Sequence, residues 1–208
     1  MEKKIVVFDL NGTLLKDTEI WYGAVKAIFA AYKKKPPTIA EYFEKLTVLK
    51  SNLQVYRSYD IDGTTEQLDE IYIPAYESQI PTIKLFPNVV EILEYLSATK
   101  FTIGLITAQE ERIASPILEK LKIDGYFAFA YFNVRDKTAT IAQILKDTDT
   151  QPKKCFIIGD APSDIEYGNM AGIETIAFVN SYIPESLLMA ANPIYCIRDL
   201  SEIATIIQ

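Results

Sequence analysis

Short, unbroken apolar runs that stop on a polar residue constrain this chain more than any other feature. They occur at Lys4-Ile-Val-Val-Phe-Asp-Leu10, Phe101-Thr-Ile-Gly-Leu-Ile-Thr107, Lys154-Cys-Phe-Ile-Ile-Gly-Asp160 and Glu174-Thr-Ile-Ala-Phe-Val179. A run without polar alternation predicts a strand buried on both faces. Shorter runs at residues 126–130 and 193–197 predict two more strands. Between them, helical periodicity covers residues 89–98, 110–121, 137–146, 163–171 and 200–207. This alternation predicts an α/β fold, a doubly wound parallel sheet with helices on both faces. Ligands of such sheets bind in the crevice beyond the carboxyl ends of the strands. Asp9, Thr107 and Asp160 each fall at such an end, so one crevice can hold all three.

Residues 17–83 break the rhythm. They contain no buried strand, yet show helical runs at 21–32, 39–49 and 67–76, separated by Lys33-Lys-Lys-Pro-Pro37 and Asp60-Ile-Asp-Gly63. Pro81 and Pro87 bracket the return to the strand pattern. The expectation is a small helical cap domain at 17–83 on a core domain made of 1–16 and 84–208; the alternative is that these helices pack on the sheet as part of one domain.

Composition narrows the function. A balance of 21 basic against 28 acidic residues gives a net charge of −7, which argues against a nucleic-acid partner, because binding to that backbone needs clustered Lys and Arg. No apolar stretch approaches the ~18 residues of a membrane span. The short apolar run before Asp9 is not that of a signal peptide. Cys155 and Cys196 lie in or beside apolar runs and read as buried thiols, so a cytoplasmic protein is expected, and a monomer. There is no histidine, which excludes Ser-His-Asp and Cys-His catalysis and His-based zinc sites. Any chemistry must come from carboxylates, lysine, hydroxyls, backbone amides and a hard metal ion.

Asp9 precedes Leu10-Asn-Gly-Thr13, where Gly12 permits a tight turn whose N–H groups can face an anion. An Asp there can be a carboxylate nucleophile, a metal ligand or simply a turn cap. Gly159-Asp-Ala-Pro-Ser-Asp164 repeats the pattern: Asp160 and Asp164 could hold Mg2+, or Ser163 or Asp164 could cap the following helix. Thr107 can bind a phosphoryl oxygen or cap the helix expected after Glu110. Lys137 opens a helical run, where a cation opposes the macrodipole unless an anion lies nearby. In the cap, Tyr56, Arg57, Tyr59, Tyr72 and Tyr76 either line a substrate pocket, with Arg57 meeting an anionic group, or pack against one another.

Asp9-Leu-Asn-Gly-Thr-Leu14, Thr107, Lys137 and Gly159-Asp-Ala-Pro-Ser-Asp164 resemble, in order and approximate spacing, the four motifs of the haloacid dehalogenase (HAD) superfamily. The insertion at 17–83 matches the position and helical character of that family's type 1 cap. The resemblance implies a HAD-like Rossmannoid core and a Mg2+-dependent phosphohydrolase acting on a small phosphorylated molecule. Asp9 would form a phosphoaspartyl intermediate. Asp9, the backbone carbonyl of Asn11 and Asp160 would hold Mg2+, with Asp164 acting through water or orienting Lys137. Thr107 and Lys137 would hold the phosphoryl oxygens. One residue departs from the pattern: the position two after the nucleophile is Asn11, where the family's phosphatases usually carry the acid/base Asp. An amide hydrogen-bonds but does not carry a proton at neutral pH. Good leaving groups are therefore expected to be favoured. The alternatives are a catalytically weak protein that binds a phosphorylated ligand and, with less support, a haloacid dehalogenase.

Overall fold

Ile5–Phe8 form β1, and all four residues are fully buried. An Ile-Val-Val-Phe run needs cover on both faces, and a central place in the sheet provides it. Thr102–Ile106 (β2) and Cys155–Gly159 (β4) flank β1, both parallel to it. Phe129–Tyr131 (β3), Glu174–Phe178 (β5) and Tyr195–Ile197 (β6) complete a six-stranded parallel sheet, in the order β3-β2-β1-β4-β5-β6. This is the computed structural model of the chain, and it describes residues 4–207. Residues 1–3 and Gln208, the ends of the expected core domain, lie outside the described residues.

Side-chain parity sorts the helices. Val6 and Phe8 face a cluster with Val89–Ala98 (α5), Glu111–Lys120 (α6) and Ile203–Ile206 (α10), while Ile5 and Val7 face Thr138–Thr148 (α7). Pro162–Ala171 (α8) and Glu185–Ala190 (α9) meet β5 through Ile165, Leu188 and Ala177. Phe8 stands opposite both Leu105 and Ile158, so the residues that follow β1, β2 and β4 share one edge of the sheet.

Several boundaries differ from expectation for local reasons. The strand expected at 126–130 starts later, because a 3-10 turn at Asp124–Tyr126 uses the first of those residues. The helix expected at 200–207 divides into a 3-10 turn, Leu200–Glu202, and α10; Asp199 accepts the Ser201 N–H at its start. The six-residue helix α9 is too short to show periodicity. Cys155 is buried as expected, whereas Cys196 is only partly covered; both thiols are free. Among the described residues, no helix is long and apolar enough to cross a membrane.

Between β1 and β2 lie Thr18–Ala31 (α1), Ile39–Leu49 (α2), Asn52–Arg57 (α3) and Thr65–Glu77 (α4). Capping boxes start α2 (Thr38 with Glu41) and α4 (Thr64 with Gln67), so both helices begin with orphan N–H groups satisfied. The insertion has its own apolar cluster, including Val25, Phe29, Tyr42, Val55 and Leu68. Ala24 and Tyr76, however, belong to the cluster on the sheet. The chain leaves and returns through a paired neck: Lys16 N–H donates to Lys84 O at 2.8 Å, and Phe86 N–H to Leu14 O at 2.9 Å. Lys50–Glu166 and Arg112–Glu77, each at 2.7 Å, add exposed ion pairs between insertion and core. Such pairs contribute only about 0–1 kcal/mol each.

Candidate active site

Asp9 leaves β1 with its N–H on Ile158 O at 2.9 Å, which fixes its place between β1 and β4. The chain then turns at Gly12, with φ +78°. A Cβ there would lie 2.3 Å from Asp160 Oδ2, so only glycine allows the β1 turn and the end of β4 to approach this closely. Asp160 is held by two donors, Thr13 Oγ1 at 3.1 Å and Asn180 Nδ2 at 2.7 Å. Asn180 also donates to Gly12 O at 2.8 Å and so ties the β5 end to the same turn.

Lys137 joins the two acid-bearing loops. Its Nζ donates to Asp9 Oδ1 at 2.5 Å and to Asp164 Oδ1 at 2.7 Å. Only 3% of Lys137 is exposed. Burial pulls its ammonium down, but the carboxylates of Asp164 and Asp9 outweigh that and hold its pKa above the ordinary range. Burial pushes Asp9 up to about 7, against the pull of Lys137. Burial, then the charges of Asp9 and Asp164, hold Asp160 well above the usual carboxyl range. One oxygen from each of Asp9, Asp160 and Asp164 can lie within 4.8 Å of the others. Among the described residues, this is an acid-rich, buried pocket with a single ammonium in it.

A cavity of about 220 Å³ opens above these groups. Its floor includes Asp9, Asn11, Thr107, Lys137, Asp160 and Asp164, and Trp21, Phe43, Leu46 and Asn52 of the insertion cover it. A floor of charged and hydroxyl groups under an apolar roof suits an anionic group whose attached organic part is held away from water.

A model for haloacid dehalogenase-like hydrolases matches residues 6–178. The chain belongs to that family. Among sequence relatives, phosphoglycolate phosphatase 1 of Pseudomonas aeruginosa is 24% identical, covering 86% of this chain and 70% of its own. The phosphoglycolate phosphatase of Aquifex aeolicus is 23% identical, covering 94% and 97%. A solved hydrolase from Pseudomonas syringae superposes with a TM-score of 0.82 at 20% identity, covering 99% and 100%, which shows the shared fold.

In this HAD-like hydrolase the structure brings Asp9, Asn11, Thr107, Lys137, Asp160 and Asp164 to one cavity. Arg57 is not among them. It is exposed at the end of α3, and neither it nor Tyr56, Tyr59, Tyr72 or Tyr76 lines the cavity. The tyrosines instead pack inside the insertion or against the sheet. Thr107 is not a helix cap either: α6 starts after Glu110, and Thr107 Oγ1 accepts the Gln109 N–H at 3.0 Å. Asp164 takes the helix-cap role, because its Oδ2 accepts the Ala161 N–H at 3.2 Å, while its Oδ1 accepts from Lys137 at 2.7 Å.

Sequence reasoning missed Thr13, Asp17, Arg135 and Asn180. Asn180 had a usable signal, since it ends an apolar run just as Asp9 and Asp160 do. Arg135 lines the cavity from the loop before α7, and nothing in its local sequence marks it. Asp17 is the most consequential omission. It is 1% exposed and accepts the Gly12 N–H at 3.0 Å, the Asn11 amide at 2.7 Å and the Tyr76 hydroxyl at 2.6 Å.

Proposed function

We propose that this HAD-like phosphatase hydrolyses a small phosphorylated molecule through a phosphoaspartyl intermediate on Asp9, with Mg2+ bound, and that it favours good leaving groups. One observation carries the reading: Asp9 is held against a buried ammonium near Thr107, with an amide in place of a carboxyl at position 11. Residues 17–83 act as the cap over a core of 1–16 and 84–208. Two free thiols are consistent with the reducing cytoplasm.

The donor set fits Mg2+. Three carboxyl groups face one ammonium, so hard oxygen donors are in excess of the charge that Lys137 neutralises. Asp9, Asp160 and the main-chain carbonyl of Asn11 would hold the ion, with Asp164 contributing through water or through Lys137. Bound there, Mg2+ would neutralise charge on the phosphoryl oxygens.

The residues of the chain then divide the work. A carboxylate oxygen of Asp9 forms a bond to phosphorus as the bond to the leaving oxygen breaks, and the electron pair leaves with that oxygen. Thr107 Oγ1 and the Lys137 ammonium hold the phosphoryl oxygens. Water next attacks phosphorus, and the bond to Asp9 breaks with its electron pair returning to the carboxylate. Asn11 can hydrogen-bond but supplies no proton, so the leaving oxygen departs unprotonated.

Leaving-group acidity should therefore govern the rate. Acetyl phosphate and aryl phosphates are expected to turn over roughly 10²-fold or more faster than phosphoglycolate or sugar phosphates, the usual worth of a missing acid. Equal rates across the series would show that another group protonates the leaving oxygen. Saturable binding with no turnover of any of them would select the second reading, a phosphoryl-ligand binder, which Asn11 also favours.

The metal has its own test. A carboxyl raised from 3.8 to about 7, as Asp9 is, adds stability that is complete below the lower value and is lost as pH rises through the upper one. The metal-free protein should thus lose stability between these limits. Protons and cation compete for the same oxygens, so roughly 10 mM Mg2+ should raise the thermal midpoint more at about pH 8 than at about pH 5.5. No shift at either pH would remove the metal from the proposal.

A further inference from the structure

The amide at position 11 has two unlike ends, and its neighbours fix which one meets the cavity. Asn11 Nδ2 donates to Asp17 Oδ2 at 2.7 Å and to Tyr76 Oη at 3.2 Å. Tyr76 uses its one hydroxyl proton on the same Asp17 oxygen, at 2.6 Å, so its oxygen is left as an acceptor. The other Asp17 oxygen accepts the Gly12 N–H at 3.0 Å. Three donors converge on one buried carboxyl, which makes Asp17 the acceptor of the group. The amide nitrogen must then face Asp17, and the network, not the shape of the side chain, sets the assignment. The amide oxygen faces the other way and accepts from Thr107 Oγ1, 3.4 Å distant.

We infer that Asp17 and Tyr76 are positioning residues that clamp the Asn11 amide with its oxygen toward the reacting phosphoryl group, so that position 11 serves hydrolysis of the phosphoaspartate and not departure of the leaving group. This rests on the phosphoaspartyl reading above. A leaving oxygen that carries away an electron pair needs a donor, and the donor end of Asn11 is turned away from it. An attacking water needs an acceptor to aim one of its protons, and the amide oxygen is one. That proton ends on the released phosphate or on solvent, because an amide does not take it. Asp17 itself borders the cavity, but its carboxyl accepts three hydrogen bonds from the protein, so it acts through Asn11.

The clamp is also where the insertion meets the chemistry. Asp17 immediately precedes α1, and Tyr76 lies in the last turn of α4. Among the described residues, the nitrogen side of Asn11 is therefore oriented by the segments that leave and re-enter the core.

Asp17→Asn reverses the logic at nearly constant shape. The new amide can still accept from Gly12, but its own NH2 then faces the donors of Asn11 and Tyr76. Turning the Asn11 amide by half a revolution relieves the conflict and puts its NH2 toward the cavity. With acetyl phosphate and Mg2+ in rapid-quench experiments, phosphoenzyme breakdown should slow about 10-fold or more, within the worth of an oriented acid–base position. Its formation should change by less than about threefold, too little to matter beside that loss. Phosphoenzyme then accumulates in the variant and not in the parent. Tyr76→Phe, which removes only the hydroxyl, should move the same ratio in the same direction by less.

A second readout needs no turnover. In the parent, the Asn11 side-chain NH2 signals should exchange slowly with solvent in NMR spectra, and in Asp17→Asn they should exchange fast. The swap Asn11→Asp with Asp17→Asn should hydrolyse alkyl phosphates faster than Asn11→Asp alone, in which two carboxyls would meet at hydrogen-bond distance. Fast exchange in the parent, or formation and breakdown falling in equal proportion in Asp17→Asn, would overturn the clamp. A parent that forms no phosphoenzyme would overturn the proposed reaction instead, and the exchange measurement would still decide the clamp.

Discussion

Asp9→Asn should abolish turnover and leave the protein folded. The substitution keeps the shape of the side chain but removes the negative charge that makes its oxygen nucleophilic, and losing a nucleophile of this kind should cost more than about 10⁴-fold in kcat. Stability should move the other way. Burial pushes the Asp9 carboxyl up to about 7, so its charged form is disfavoured in the folded state above that pH. A neutral isostere avoids that cost, and Lys137 keeps its bond to Asp164 at 2.7 Å. At about pH 8 without Mg2+ the variant should therefore unfold at the same temperature as the parent or higher. Measuring acetyl phosphate turnover and the thermal midpoint on one preparation separates the two effects. Retained turnover would mean that Asp9 is not the nucleophile.

Lys137→Met should instead damage both activity and stability. Among the described residues, the ammonium is the one cation hydrogen-bonded to the acid cluster, at 2.5 Å from Asp9 and 2.7 Å from Asp164, and methionine fills the space without the charge. Removing one partner from a buried ion pair costs about 3–5 kcal/mol, because it strands the other charges. For a chain of this size that corresponds to a fall of roughly 10 °C in the midpoint. The loss should shrink as pH falls. Without Lys137 the carboxyls bind protons more tightly when folded than when unfolded, so folded stability recovers as they protonate. No histidine exists to confuse this titration. An unchanged midpoint between about pH 6 and 8 would show that the network contributes nothing to folding, contrary to the expected stranding of charge.

The sheet was the most legible part of the molecule. Ile5–Phe8 and Cys155–Gly159 are apolar at every position, and they are central strands, each paired on both sides. The edge strands β3 and β6 were placed less well, since with three residues each they carry little pattern. The insertion showed as a break in rhythm, although α3 was invisible for the same reason of length. At the site, the strand-end rule picked out Asp9, Thr107 and Asp160, because a polar residue closing a buried run is a local signal. Asn180, which closes the run Glu174–Val179, carries the same signal.

Residues a few positions apart suffice to mark the buried strands and the side chains at their carboxyl ends. Long-range packing places Arg57 outside the cavity, sets Trp21 and Phe43 over it, and binds Asn11 to Asp17 and Tyr76. Tyr76 and Asn11 are 65 positions apart, and Asn180 and Gly12 are 168 apart. Such partners are chosen by how helices pack across a neck and onto a sheet. A buried hydrogen bond forms wherever packing leaves a donor facing an acceptor away from water, and no pattern along the chain records that meeting.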